Sequence, residues 1–219
     1  MTYQIKEVFY SVQGEGYWSG RPAVFVRFAK CNLWSGREID RPTAICQFCD
    51  TDFLDGTSFT TDELLGVCRE LWPTDNNGDP MVIFTGGEPM LQLDENLLRS
   101  FTQAGFYTAL ETNGTLPLTE GMRKYLGWVC VSPKTPTLRI TGGDELKLVY
   151  PQDKITPEMF AHLQRRPDWG IDGFDHFWLS PRNDKHDLDH GHAKLAYDYV
   201  LAHPQWRLNT QTHKVIGVR

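Results

Sequence analysis

Apolar residues in this chain fall into short runs, with amphipathic stretches of longer period between them. Residues 22–28 (PAVFVRF) set Ala23, Phe25 and Arg27 against Val24, Val26 and Phe28, the two-residue alternation of a buried strand. Further strands are predicted at 81–85 (MVIFT), 106–111, 128–132 (WVCVS), 145–150 (ELKLVY) and 174–179. Thr60 or Thr61 caps a helix with Asp62 and Glu63 in its first turn. Its apolar stripe is Leu64, Leu65, Cys68, Leu71 and Trp72. Asp94 opens another, with Leu97, Leu98 and Phe101 on one face and a stop near Gly105. A weaker helical pattern covers 116–126, and two more cover 156–165 and 188–202. The tail, at 206–209 and 212–218, reads as extended and adds late strands.

Strands alternating with helices imply right-handed β-α-β units and a parallel sheet. One connection departs from this. Between Val131 and Glu145, the residues Pro133, Pro136, Gly142 and Gly143 oppose a helix. The expected fold class is therefore α/β, a partial (open) TIM-like barrel of about six parallel strands with a reduced helix complement. We expect a single domain over residues 1–219, long enough to bury a core without disulfides and uninterrupted by a repeat or low-complexity linker.

In such folds the loops at the C-terminal strand ends carry the site. Cys31, Cys46 and Cys49 follow the first strand as C-x14-C-x2-C. Thr85-Gly86-Gly87-Glu88-Pro89 follows the second, Glu111-Thr112-Asn113-Gly114 the third and Ser132-Pro133-Lys134 the fourth. Ser180-Pro181-Arg182-Asn183 follows the sixth. Three thiolates hold three irons of a 4Fe-4S cluster and leave the fourth iron open to a small molecule. Zinc is the alternative for C-x2-C, although structural zinc takes four ligands and a second neat pair is absent. Cys68 and Cys130 fall in a helix and a strand and read as core.

The Gly86-Gly87 pair lets backbone approach a ligand closely, and Glu88 offers a carboxylate to an ammonium group. Phe48 is placed to pack on adenine, Glu111 and Asn113 to bond a ribose or amino-acid group, and Ser132 and Lys134 to make polar contacts. Each has a blander counterpart: Gly-Gly and Asn-Gly are turn signals, Phe48 a loop anchor, Lys134 a solvated lysine.

Charge and composition remove other classes. The net charge is −6 with no Lys/Arg run, which opposes direct binding of nucleic acid. No apolar stretch approaches the roughly 18 residues of a membrane span, and the first residues lack a basic and then apolar leader. A cytoplasmic protein with five reduced thiols is expected.

The cysteines and TGGEP together resemble the radical S-adenosylmethionine (SAM) superfamily. The wider set narrows this: Ser11-Val12-Gln13-Gly14-Glu15-Gly16, Arg27, Cys49-Asp50-Thr51, TGGEP, ETNG, SPK and the late Thr212-His213-Lys214. It resembles the 7-carboxy-7-deazaguanine synthase family, from about Glu7 to Arg219. Much of the superfamily has C-x3-C-x2-C, so the fourteen-residue gap here departs from the pattern and marks an enlarged loop at 31–49.

The resemblance implies conversion of 6-carboxy-5,6,7,8-tetrahydropterin to 7-carboxy-7-deazaguanine with release of ammonia, on the route to queuosine and other 7-deazapurines. A reduced cluster cleaves SAM to methionine and a 5′-deoxyadenosyl radical, which takes a hydrogen from the substrate and later returns it. SAM contacts are implied for Phe48, Cys49, Asp50, Gly86, Gly87, Glu88, Glu111, Asn113, Ser132, Pro133, Lys134, Ser180, Pro181, Arg182 and Asn183. Substrate contacts are implied for Val12, Gln13, Gly14, Glu15, Arg27, Thr85, His213 and Arg219. Magnesium (Mg2+) is a hard cation, and Thr51 offers it a hydroxyl. Arg27 suits a carboxylate, which it can meet bidentately. A flavodoxin or ferredoxin as electron donor and a homodimer are also implied. No side chain stands out as a general acid or base, in keeping with chemistry done by cofactors.

Two other readings stay open. A glycyl-radical activase shares cluster and fold, but SxQGEG, Arg27 and CDT speak against it. A non-enzymatic zinc or iron–sulfur module is opposed by the motifs at successive strand ends.

Overall fold

The computed structural model describes residues 1–73, 78–165, 172–183 and 190–218. These form a sheet of nine strands: β1 (Thr2–Val12), β2 (Pro22–Phe28), β3 (Thr57–Thr60), β4 (Met81–Gly86), β5 (Tyr107–Thr112), β6 (Trp128–Val131), β7 (Gly142–Tyr150), β8 (Gly173–Pro181) and β9 (Arg207–Leu208). Their spatial order is β3-β1-β2-β4-β5-β6-β7-β8-β9. From β2 to β9 every pairing is parallel, while β1 runs antiparallel to both β2 and β3. The end strands β3 and β9 do not pair with each other among the described residues, so the barrel is open. The six expected parallel strands are β2 and β4 to β8. The connection from β6 to β7 crosses without a helix, as Pro133, Pro136 and the glycines require.

The helices are α1 (Thr61–Leu71), α2 (Glu95–Gln103), α3 (Glu120–Arg123), α4 (His190–Ala202) and α5 (Thr212–Ile216). Thr60 caps α1 reciprocally with Glu63, closing a capping box. Asp94 caps α2 through the Leu97 N–H at 2.8 Å and also accepts the Tyr3 hydroxyl at 3.0 Å.

Four expectations change. β1 and β3 are additional strands. The pattern at 116–126 reduces to α3, because Thr119 caps Met122 and the chain turns out before Gly127. The pattern at 156–165 is a 3₁₀ turn, Pro157–Leu163, after which Gln164 returns to extended backbone. The tail forms β9 as expected, but 212–218 is helical rather than extended. There the Thr212 N–H donates to Gly14 O at 2.9 Å, and Gly217 ends α5 in the left-handed region at φ 70°. Residues 188 and 189 of the predicted 188–202 helix lie outside the described residues.

Strand alternation divides the sheet into two faces. Val24, Val26, Phe28, Val82, Phe84, Leu110, Leu146 and Leu148 pack under Leu64, Leu97, Leu98, Phe101 and Phe160 in the main core. The other face holds a smaller cluster of Ala23, Phe25, Met81, Ile83 and Ala109, backed by Phe9, Trp18, Tyr107 and Trp128. Continuing this second parity along β2, β4 and β5 turns Arg27, Thr85 and Glu111 to the barrel interior, where Lys147 from the middle of β7 and Ser180 from near the end of β8 join them.

Candidate active site

Those five side chains line a cavity of about 820 Å³ at the C-terminal edge of the sheet, in the upper range for small-molecule sites. Arg27 and Thr85 are direct register partners on β2 and β4, and Val149 sits opposite Ser180 on β7 and β8.

The cluster loop forms one wall. Cys31, Cys46, Phe48, Cys49, Asp50 and Thr51 all line the cavity, backed by Leu33, Trp34 and Phe53. The fourteen-residue gap folds into a 3₁₀ turn, Glu38–Thr43, whose Arg41 braces the C-x2-C segment. Arg41 Nη1 donates to Gln47 O at 2.9 Å and Cys49 O at 3.0 Å, and its guanidinium lies 4.0 Å from the Trp34 ring centre. Asn32 ties this loop to the β5 loop by bonds to Thr115 Oγ1 (2.8 Å) and with Asn113 Nδ2 (3.0 Å). A hydrogen bond shared between Cys46 and Cys49 holds the Cys49 thiol down at about 6 and pushes that of Cys46 well up.

The opposite wall is polar. Gln13 Nε2 donates to Glu111 Oε1 at 2.9 Å and Thr85 Oγ1 to Glu111 Oε2 at 3.3 Å. Gln211 Nε2 donates to Glu15 Oε1 at 2.6 Å, and Asn183 Nδ2 to Gln211 Oε1 at 2.6 Å. Lys147 pairs with both Glu15 and Glu111. Arg27 Nε pairs with Glu7 Oε1 at 2.7 Å across the β1–β2 register, and both line the cavity. The short helix α5 closes one side. His213 sits over Gly14, where an added Cβ would lie 1.9 Å from His213 Nδ1, and Lys214 pairs with Asp50 at 2.6 Å. Burial lowers the pKa of His213 and of Lys134.

Of the expected site residues, Val12, Gln13, Gly14, Glu15, Arg27, Thr85, Gly86, Gly87, Glu111, Asn113, Ser132, Lys134, Ser180, Pro181, Arg182, Asn183 and His213 line this cavity with the cluster-loop residues. Glu88 and Pro133 do not. Arg219 lies outside the described residues. Glu88, expected to offer its carboxylate to an ammonium group, is held from within the fold. The side chain is 0 % exposed and already accepts from Met90 N (2.9 Å), Thr112 Oγ1 (2.7 Å) and Asn113 N (2.8 Å). It clasps the β4 and β5 loops together. Glu88→Ala, which leaves buried donors without acceptors, should destabilise the fold by about 3 kcal/mol or more. The midpoint of urea unfolding reads this directly.

Sequence reasoning missed Lys147, Glu7, Phe9, Phe25, Val149 and Gln211, all of which line the cavity; Lys214, part of the late Thr212-His213-Lys214 motif, lines it too. Lys147 carried a usable signal: a lone cation inside the apolar run ELKLVY.

The donor set suits an iron–sulfur cluster and a nucleoside-bearing cofactor. Three thiols share one wall, and the Leu33 N–H donates to Cys31 Sγ at 3.4 Å, the kind of bond that tunes cluster thiolates. Gly87 runs so close to the β2 end that an added Cβ would lie 2.1 Å from Lys30 O. Asn183 Oδ1 is buried without a hydrogen-bond partner among the described residues. Among those residues no three Cys, His, Asp or Glu side chains converge on a single ion.

No protein-family model matches the chain. Curated relatives do. It is 47 % identical over 226 residues to the 7-carboxy-7-deazaguanine synthase of Burkholderia multivorans, covering 100 % of each chain. Against the synthase of Caulobacter vibrioides it is also 47 % identical, again over 100 % of each. Bacteroides thetaiotaomicron has a synthase 39 % identical over the same share. The chain belongs to the 7-carboxy-7-deazaguanine synthase family. Its fold matches the crystal structure of QueE from Escherichia coli, with TM-score 0.65 and 23 % identity over 97 % of this chain and 95 % of that one. Like the other 7-carboxy-7-deazaguanine synthases it is a radical SAM enzyme, so a 4Fe-4S cluster and SAM are its cofactors. No helix among the described residues is long and apolar enough to cross a membrane.

Proposed function

We propose that this chain, acting as a single domain in the cytoplasm, converts 6-carboxy-5,6,7,8-tetrahydropterin to 7-carboxy-7-deazaguanine and ammonia, on the route to queuosine. One observation carries the reading. A single cavity brings three thiols on one wall to face Arg27, Gln13, Glu15 and Thr85 on the other.

When bound, the cluster and SAM supply a carbon-centred radical that abstracts and returns a hydrogen. The chain's own groups bind and orient. Cys31, Cys46 and Cys49 hold the cluster. Ser132, Lys134 and Asn183 face the same wall and take the polar parts of SAM, and Phe48 takes its adenine. Arg27 binds the substrate carboxylate, a charge-assisted pairing with fixed geometry. Gln13 and Glu15 meet the N–H and C=O edge of the pterin, and Thr85 its ring. Gly14 lets His213 close over that edge. Phe9 and Phe25, stacked with ring centres 5.0 Å apart, add an apolar patch to the lining.

Magnesium belongs beside Thr51. The neighbouring carboxylates are engaged, Asp50 with Lys214 (2.6 Å) and Asp52 with Lys6 (2.8 Å). There the Thr51 hydroxyl and the substrate carboxylate would supply part of the oxygen shell that a hard cation requires, with water supplying the rest. Thr51→Ala should cut the magnesium stimulation of turnover several-fold and leave SAM affinity unchanged, as read by titrating magnesium into the assay. A flavodoxin or ferredoxin supplies the electron, and the working form is a homodimer. The reading is tested by turnover with the pterin under anaerobic conditions. An intact 4Fe-4S chain that cleaves SAM but leaves the pterin unchanged counts against it.

A further inference from the structure

Lys147 stands in the middle of β7, on the cavity face, and is 6 % exposed. Its ammonium pairs with Glu15 Oε2 and lies 3.3 Å from Glu111 Oε1. The two carboxylates arrive from different places, Glu15 from the loop after β1 and Glu111 from β5. Their remaining described contacts are neutral donors: Gln211 to Glu15, Gln13 and Thr85 to Glu111. A buried ion triad in a core often adds little to stability and is replaceable by apolar side chains. Here all three charges line the cavity rather than the core, which gives them a ligand to act on.

We propose that Lys147 is a positioning residue: it holds Glu15 and Glu111 side by side as anions and so builds the acceptor edge that reads the N–H groups of the substrate's aminopyrimidinone ring. This rests on the pterin reading above. Two carboxylates within reach of one ammonium repel each other, and without the cation one of them takes up a proton. A protonated carboxyl then presents O–H where the ring also presents N–H. With both ionised, a carboxylate accepts from two adjacent N–H groups at once, the arrangement that an exocyclic amine beside a ring N–H offers.

Other charges face this group. His213 approaches Glu15 from α5, Glu145 and Cys130 approach Lys147 from β7 and β6, and Lys134 lies across the cavity. Burial raises the pKa of Glu15, but attraction to Lys147 overcomes it and holds the carboxyl at about 2.

The test uses anaerobically reconstituted chain. Carboxylate-labelled glutamate followed by 13C NMR, without SAM or substrate, should show Glu15 titrating far below its ordinary 4.5. In Lys147→Met one carboxylate of the pair should move above that value. Calorimetry at pH 7 should then show pterin binding weakened roughly 30-fold, partly recovering as pH rises through the new pKa, with SAM affinity held within about twofold. Overturning results are an unmoved carboxylate titration, unchanged pterin affinity, or equal loss of SAM and pterin binding. If Lys147→Met does not fold, the native titration decides alone: Glu15 titrating at 4.5 overturns the proposal. A native chain that binds SAM but no pterin sinks the substrate reading instead, and the titration still reports on the triad.

Discussion

Alanine in place of Cys31, Cys46 or Cys49, singly, is expected to remove the iron–sulfur chromophore and reduce turnover to background. Each thiolate holds one iron, and the fourth iron has no protein ligand to spare, so two thiolates leave the cluster half-held. The fold should persist in these variants. The cysteines sit on a loop braced by Arg41, while the sheet is secured by a separate core beneath α1 and α2. Cys68→Ala makes the contrast. Cys68 is 0 % exposed in α1, and burial pushes its thiol up to about 12, as for a core residue. That variant should keep its iron and turnover and lose about 1–2 kcal/mol of stability, from the buried volume removed. Iron and sulfide content together with urea unfolding separates the two classes. Retained iron at native stoichiometry in Cys46→Ala would remove that residue from the ligand set.

Arg27→Ala is expected to weaken pterin binding by roughly 2–5 kcal/mol, the loss seen when one partner of a buried charge pair is truncated. The cluster and SAM affinity should be unaffected. Arg27 is only partly exposed and keeps Glu7 beside it, so the guanidinium is oriented before substrate arrives. Preorganisation of this kind reduces the ordering cost of binding. A direct titration of the variant with pterin, SAM present, gives the number. Native affinity would exclude Arg27 from the substrate site.

The sequence carried the parallel strands, because each buries an apolar face and its alternation survives in the text of the chain. It also located the ring of loops, since Cys, TGGEP, ETNG and SPK all end strands. β1 escaped because Lys6 and Glu7 interrupt its alternation; Glu7 has a reason to be there only once Arg27 lies across from it in register. α5 escaped for the opposite reason. Thr212, Val215 and Ile216 favour extended backbone, but the bond from Thr212 N–H to Gly14 O and the turn at Gly217 override that preference.

Glu88 shows what a motif leaves out. A carboxylate after a Gly-Gly turn reads as ligand-directed, and the sequence does not show that three donors from two loops also hold it. Lys147 shows the converse. Its partners come from positions 15 and 111, and no local pattern reveals a triad spread over 132 residues of chain (147 minus 15).

The proposed reaction requires one cavity to join a radical source to a pterin carboxylate. An anaerobic assay of reconstituted chain with SAM, reductant, magnesium and 6-carboxy-5,6,7,8-tetrahydropterin, read by mass spectrometry, tests it most directly. 7-Carboxy-7-deazaguanine should form, with loss of ammonia, over many turnovers per SAM. SAM cleaved to methionine and 5′-deoxyadenosine, with the pterin recovered intact, would contradict it.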